Sequence, residues 1–209
     1  MNMSGFTGLL YRCTEWIYKL ALVNLIWIGL TIFGLVLFGV GPATAGLYSV
    51  LRKWMNDQTD CPIFKTFFSV YKREFLRANL LSWSFIFAFF ILYLDFKFIS
   101  GFTGALHIIG IAILLSIFFL AIITFMYIFP VNAYFETNVK NCFKTALLIG
   151  LSQLHLTLLM IVSTLLFFFL MRLFPGIIPF YGISVLGVIL MWFSRKGFLK
   201  IEKAAKAPN

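Results

Sequence analysis

The sequence predicts an all-α fold, a polytopic membrane bundle of five transmembrane helices joined by amphipathic helices. Three observations carry that expectation. Of the 209 residues 62% are hydrophobic and 11% are charged, against about a quarter charged in an ordinary soluble domain. The uncharged stretches are long enough to cross a bilayer, which takes roughly 20 apolar residues per helix. The 17 lysines and arginines collect in the connectors between those stretches. So little charge cannot clothe a water-facing surface, and 27 phenylalanines are too much apolar surface for a disordered chain. A soluble enzyme, a nucleic-acid binder and a secreted disulfide module are all disfavoured.

Read in order, the first span covers about residues 20–40, with Asn24 and Thr31 its polar members. The others cover about 78–94, 105–129, 151–171 and 177–193, and the whole chain, 1–209, reads as a single membrane domain. Each must be helical, because the bilayer core has no water to satisfy open backbone groups. Ser100-Gly101-Phe102-Thr103-Gly104 reads as a turn before the third span, and Pro175-Gly176 with Pro179 predicts an irregular opening to the fifth. Ala43-Thr44-Ala45 resembles a signal-peptide cleavage site, but the preceding apolar run of 21 residues exceeds the usual core of about 7–15.

Orientation follows from lysine and arginine in the loops. Thirteen lie on one side: Arg52, Lys53, Lys65, Lys72, Arg73 and Arg77, then Lys140 and Lys144, then Arg195, Lys196, Lys200, Lys203 and Lys206. Four lie on the other: Arg12, Lys19, Lys97 and Arg172. The first set is expected in the cytoplasm of a bacterial cell membrane, with the N-terminus outside and the C-terminus inside. The net charge of +10 then forms a skirt facing anionic headgroups or an acidic partner. Membrane lipids are the expected contacts, and nucleic acid is not.

Three amphipathic helices are expected on that side, at about 46–56, 62–77 and 137–149. In the first, Leu47, Tyr48, Leu51, Trp54 and Met55 oppose Ser49, Arg52, Lys53 and Asn56. In the second, Phe64, Phe67, Phe68, Tyr71 and Phe75 oppose Lys65, Ser69, Lys72 and Arg73. A basic face opposite aromatics is the pattern of a helix lying in the membrane interface. A parallel internal repeat is also visible. Pro42-x-x-Ala45 and Phe64-Lys65-Thr66 follow span one, and Pro130-x-x-Ala133 and Phe143-Lys144-Thr145 follow span three. The two Phe-Lys-Thr triplets lie 79 residues apart.

No Asp, Glu, Lys or Arg falls in the middle of any expected span, where gradient-driven transporters usually carry them. The buried polar candidates are Asn24, Asn79, Gln153 and His155, each more often a helix–helix contact than a ligand. Glu74 and Glu136 have basic neighbours and read as solvated or paired. Cys13, Cys61 and Cys142 show no paired spacing, and no metal, nucleophile-elbow or phosphate-loop motif occurs. No catalytic residue, metal or cofactor is expected.

The segment Gly-Val-Gly-Pro-Ala-Thr-Ala-Gly-Leu-Tyr (39–48), then Val50-Leu51-Arg52-Lys53-Trp54, then Phe68-x-x-Tyr71-Lys72-x-x-Phe75-x-x-Ala78-Asn79, resembles the YesL family of bacterial membrane proteins. The resemblance covers essentially the whole chain, and these segments are its specific part. It implies association with uptake of plant cell-wall oligosaccharides beside ABC-type importers. It supplies no catalytic residues, and the connector 132–150 lacks the permease signature of such importers. The expectation is therefore an accessory subunit that touches a permease or its ATPase. The expected contact residues are Pro42, Ala43, Thr44, Ala45, Tyr48, Lys65, Lys72, Arg73 and Arg77. A self-sufficient small transporter or channel and a lipid or envelope scaffold are the competing readings. The oligomeric state is left open.

Overall fold

The computed structural model describes residues 6–135 and 137–206, with the side chains of 6–10, 12 and 203–206 outside the description. Glu136 lies outside the described residues, as do the side chains of Arg12, Lys203 and Lys206. The described secondary structure is helical: α1 Phe6–Phe33, α2 Val40–Met55, α3 Ile63–Arg73, α4 Phe75–Ile99, α5 Ala105–Tyr134, α6 Val139–Ser152, α7 Leu154–Leu173 and α8 Ile178–Lys206. A 3-10 turn at Pro175–Ile177 opens α8, the irregular start that the two prolines predict.

Five segments are long and apolar enough to cross a membrane: Cys13–Phe33, α4, α5, α7 and Pro175–Glu202. Their outward faces are bare. Leu106 is 70% exposed, Ile108 69% and Leu76 83%, and α7 shows Val162, Leu165, Phe168 and Phe169 to the outside. Water would not tolerate apolar surface on this scale, whereas lipid supplies its natural covering.

The first span differs from the expected 20–40. Helix α1 begins at Phe6 and stops at Phe33, and residues 34–39 reverse the chain. Leu35 and Val36 take positive φ, 56° and 62°, and the reversal is tight enough that a Cβ on Gly39 would sit 2.3 Å from the Thr31 carbonyl oxygen. Helix α2 then runs back along α1. Trp27 Nε1 donates to Thr44 Oγ1 at 3.2 Å, and Trp16 meets Trp54 edge-on at 5.5 Å.

Helix α2 is also not a surface helix. It packs on α1, α3, α4, α5 and α8, and Ala43, Leu47 and Val50 are fully enclosed. Small residues make this possible. A Cβ on Gly41 would meet the Ala78 carbonyl oxygen at 2.7 Å, and one on Gly46 the Phe67 ring at 2.6 Å. Backbone-to-backbone approach of this kind is how membrane helices gain contact without a hydrophobic driving force.

Helix α3 ends at Arg73, and Glu74 separates it from α4. Arg77 therefore belongs to the first turn of the spanning helix, not to the expected 62–77 helix. Helix α5 continues through Pro130 to Tyr134 instead of ending at 129. The missing N–H is tolerated because Ile128, Phe129, Pro130 and Val131 are all buried among neighbouring helices. The turn at 100–104 forms as expected, with Gly104 at φ 73° leading into α5.

The Phe-Lys-Thr triplets sit early in α3 and α6, and both helices stop the same distance later, at Glu74 and Gln153, directly before a spanning helix. Buried positions recur at that offset: Phe67 with Ala146, Val70 with Ile149, Ala78 with Thr157, Leu81 with Met160. The two proline motifs do not correspond, since Pro42 opens a separate helix and Pro130 lies inside one.

Candidate functional site

Ala45, Ser49 and Arg52 follow one another at helical spacing on a single face of α2. That face looks into a cleft of about 300 Å³ completed by Val70 and Arg73 of α3, Glu74 at the junction, Arg77 of α4, and Asn132 and Ala133 at the end of α5. An adjoining hollow of about 340 Å³ shares Ser49, Arg52, Val70 and Arg73 and adds Lys53, Pro62, Lys65, Thr66 and Ser69. Together they carry five cationic side chains and one carboxylate.

The guanidinium groups are held rather than free. Arg52 Nη1 donates to the Ala133 carbonyl at 2.6 Å, and Arg77 Nη2 donates to the Thr137 carbonyl. The last carbonyls of a helix lack partners within it, and cations are favoured there; Arg52 caps the end of α5 in this way, and Arg77 holds the connector that follows it. Arg73 lies 3.2 Å from Glu74 and Arg77 3.8 Å from it. Lys53 Nζ donates to Thr66 Oγ1 at 3.1 Å. Arg77 Nε and Asn132 Oδ1 are buried without a partner. Beside the cleft, burial pushes the Cys142 thiol up to about 11, against the opposing pull of Arg77. Burial likewise raises the Tyr71 and Tyr48 hydroxyls.

The opposite face of α2 borders an apolar pocket of about 430 Å³ that includes Trp27, Thr44, Leu47, Tyr48, Phe85, Phe125, Phe129 and Gly187. Tyr48 stacks on Phe129 there, centroids 6.1 Å apart.

The expected contact residues separate into two groups. Lys65, Arg73 and Arg77 line the cationic hollows, and Lys72 is exposed on α3, its ammonium 4.5 Å over the Phe68 ring. Pro42, Ala43, Ala45 and Tyr48 are buried in the bundle, and Thr44 is half-buried with its hydroxyl donating to the Val40 carbonyl. That segment is a packing surface, because its small side chains are filled by α3, α4 and α8. Arg52 and Lys53, which sequence reasoning placed on the polar face of the first amphipathic helix but not among the contact residues, are the residues it missed. The i, i+3 relation of Ser49 and Arg52 was the available signal.

The buried polar candidates also divide. Asn24 donates to the Pro179 carbonyl at 2.6 Å and accepts from the backbone of Ile183 and Ser184, each at 3.0 Å. It pins α1 to the start of α8. Asn79 and Gln153 are buried, and both side-chain ends of Asn79 and the Gln153 amide oxygen have no partner. His155 is exposed, which corrects its expected burial; two residues after Gln153, it falls on the outer side of α7. Among the described residues no group of three or more His, Cys, Asp or Glu could hold a metal ion.

Fold and cleft together define a multi-pass helical membrane protein with a cationic recess where α4 begins and α5 ends. The family described as Protein of unknown function, DUF624, matches residues 20–96, which contain α2, α3 and every cationic side chain of the recess. The chain is 36% identical over 209 residues to the uncharacterized protein YteU of Bacillus subtilis (strain 168), covering 100% of this chain and 94% of that one. It is 35% identical over 196 residues to YesV (94% of each) and 29% identical over 203 residues to YesL (97% and 95%), both of the same organism. The chain belongs to the DUF624 family, in agreement with its resemblance to YesL proteins. No solved structure matches it.

Proposed function

We propose that the chain is a non-enzymatic accessory protein of the bacterial cell membrane that works through contacts with the permease or ATPase subunits of an ABC-type oligosaccharide importer. The observation that carries the reading is the cationic face formed by α3 and the recess beside it. That face projects charge and aromatic side chains together: Phe64 is 61% exposed, it stacks on Phe68 at 5.8 Å, and Lys72 lies over the same ring. Aromatic and basic groups side by side are what interfaces favour over isolated charge. The resemblance supplies the importer as the partner, and the loop-charge count puts this face in the cytoplasm with the C-terminus. Because α2 doubles back along α1 and Lys19 Nζ donates to the Thr59 carbonyl at 2.9 Å, the N-terminal end of α1 falls at the same end as the α2–α3 connector. The N-terminus is therefore assigned inside, in place of the expected outside. The narrowed contact set is Phe64, Lys65, Lys72 and Arg73, without the buried segment 42–48.

Capture of the tagged protein from membranes in mild detergent tests it. Permease and ATPase subunits should co-purify with the wild type and be lost when Phe64 and Lys72 are both replaced by Ala. If the wild type recovers neither subunit, the proposal fails. Solute flux into proteoliposomes holding this protein alone would support the self-sufficient transporter in its place.

A further inference from the structure

We propose that the cleft bounded by α2, the α3–α4 junction and the end of α5 is a binding site for a phosphate group, carried either by a soluble phosphomonoester or by an anionic lipid headgroup. The cleft shares Arg73 with the accessory reading, but the phosphate response is measured on the purified protein with no importer subunit present, so either can fail without the other.

The charge arrangement is the first ground. Arg52, Arg73 and Arg77 converge on one recess of about 300 Å³ whose lining holds a single carboxylate, Glu74. Glu74 is shared between Arg73 and Arg77, so at least two positive charges stay unmatched by any acid of the lining. Carbonyl dipoles at Ala133 and Thr137 orient Arg52 and Arg77 but do not neutralise them. Each guanidinium has five N–H donors in a fixed fork, and the two carbonyls take one each. The fork suits phosphate oxygens, and charge-assisted pairs of this kind are about twice as strong as neutral ones.

Preorganisation is the second. Arg52 is fixed by the end of α5, and Arg77 by the connector after it and by the buried Cys142 thiol, so little side-chain entropy is lost on binding. Within the same lining, Arg77 Nε and the Asn132 amide oxygen make no hydrogen bond to the protein.

The third ground answers the plainer explanation, that these arginines merely support a helix–break–helix joint. The α6–α7 joint falls at an offset of 79 residues from α3–α4 and shares several of its buried positions, yet the positions matching Arg73, Glu74 and Arg77 hold Ser152, Gln153 and Leu156. The joint forms there without a charged side chain. Charge at the first joint therefore serves something other than the bend.

The test uses the purified full-length protein. In detergent, inorganic phosphate and glucose 6-phosphate are titrated against chloride and sulfate at matched ionic strength while thermal unfolding is followed; ligand bound to the folded state alone raises the melting temperature by mass action. In nanodiscs, phosphatidic acid in phosphatidylcholine is compared with phosphatidylcholine alone. A phosphate-specific rise in detergent identifies a soluble ligand, and a rise confined to phosphatidic acid identifies the headgroup; either supports the site. Arg52→Gln also uncaps α5 and Arg77→Gln frees the connector after it, so Arg73→Gln is the cleaner variant, because its side chain is 67% exposed and its described ion pair is with Glu74. It should weaken binding about tenfold. Glu74→Gln removes the lining's one negative charge and should tighten binding severalfold, a gain that a damaged fold does not produce. No phosphate or phosphatidic acid response, the same response to chloride and sulfate, or unchanged affinity in both Arg73→Gln and Glu74→Gln would overturn the proposal.

Discussion

Helices α2 and α3 follow each other in the chain, and both show a basic polar stripe opposite apolar residues. Ten of the sixteen residues of α2 are buried, against four of the eleven of α3. The difference lies in side-chain size. Helix α2 opens Gly41-Pro42-Ala43-Thr44-Ala45-Gly46, a run that lets neighbouring backbones close in, whereas α3 presents Phe64, Phe67, Phe68 and Tyr71, which need room. The polar stripe of α2 then faces a recess inside the molecule instead of open water. An amphipathic pattern therefore says that two environments are present, without saying that one of them is solvent.

The sharpest way to break this comparison is to enlarge α2. In Gly41→Val the new Cβ meets the Ala78 carbonyl oxygen at 2.7 Å and the carbon behind it at 2.9 Å. These are backbone atoms of a spanning helix and cannot swing aside. We expect a loss of about 3 kcal/mol or more, read as loss of monodisperse protein on gel filtration in detergent. Phe64→Ala on α3 should change thermal stability by no more than about 0.5 kcal/mol, because that ring is 61% exposed. Equal effects from the two substitutions would refute the assignment of core and cover.

Asn24→Leu comes next. The side chain makes three hydrogen bonds to the first turns of α8. Interhelical hydrogen bonds in membranes contribute about 0.6 kcal/mol each, reaching about 1–2, so a loss of about 2 kcal/mol is expected in thermal unfolding. Asn24→Asp keeps the acceptor, loses the donor to Pro179 and buries a charge, and should be no better tolerated.

These two sites also show what the sequence made legible. The five spans, the turn at 100–104 and the irregular start of α8 follow from length, charge and proline, signals that act locally. The break after Phe33 escapes because Gly34-Leu35-Val36-Leu37-Phe38-Gly39 is as apolar as the helix before it; hydropathy cannot see a reversal made within lipid-like surroundings. The recess was half legible. Lys65, Arg73 and Arg77 stood out as charges, but their convergence with Arg52 and Asn132 depends on α2 crossing the end of α5, a tertiary event with no local mark. His155 and Asn24 were equally polar in the sequence, and only packing separates the exposed from the pinned.

Helix α6 sides with α3, with four of its fourteen residues, Cys142, Ala146, Ile149 and Gly150, buried. Its thiol gives a pH test. The folded-state value of about 11 lies above the ordinary 9.0, so the folded protein holds the proton that the unfolded chain releases. Between about pH 9 and 11 stability therefore falls as pH rises, at a limit of about 1.4 kcal/mol per pH unit. The fall should be shallower in Cys142→Ala than in the wild type. At pH 8 a maleimide should modify Cys61, which is half-exposed, well before Cys142. Applied to sealed vesicles, the Cys61 reaction also reports which side the α2–α3 loop faces.

The smallest effect concerns the contact that ties α6 and α7 to α5. Tyr127 Oη lies 3.0 Å from Thr157 Oγ1, and Thr157 Oγ1 is itself 2.8 Å from the Gly150 carbonyl oxygen. The threonine proton goes to that carbonyl, so the tyrosine is the donor to the threonine oxygen. Tyr127→Phe removes one hydrogen bond and leaves the ring in place, for an expected loss of about 1 kcal/mol or less. Thr157→Val removes the hydroxyl from a fully buried site and leaves Tyr127 without its acceptor, so it should cost more than Tyr127→Phe. In the double variant the total loss should be smaller than the sum of the single effects, since both singles break the same bond. Strict additivity would mean that the two hydroxyls do not meet, and that α6 and α7 are held to α5 by other contacts, among them Gly150 against Ile123 and the Cys142 thiol on the Ile128 carbonyl.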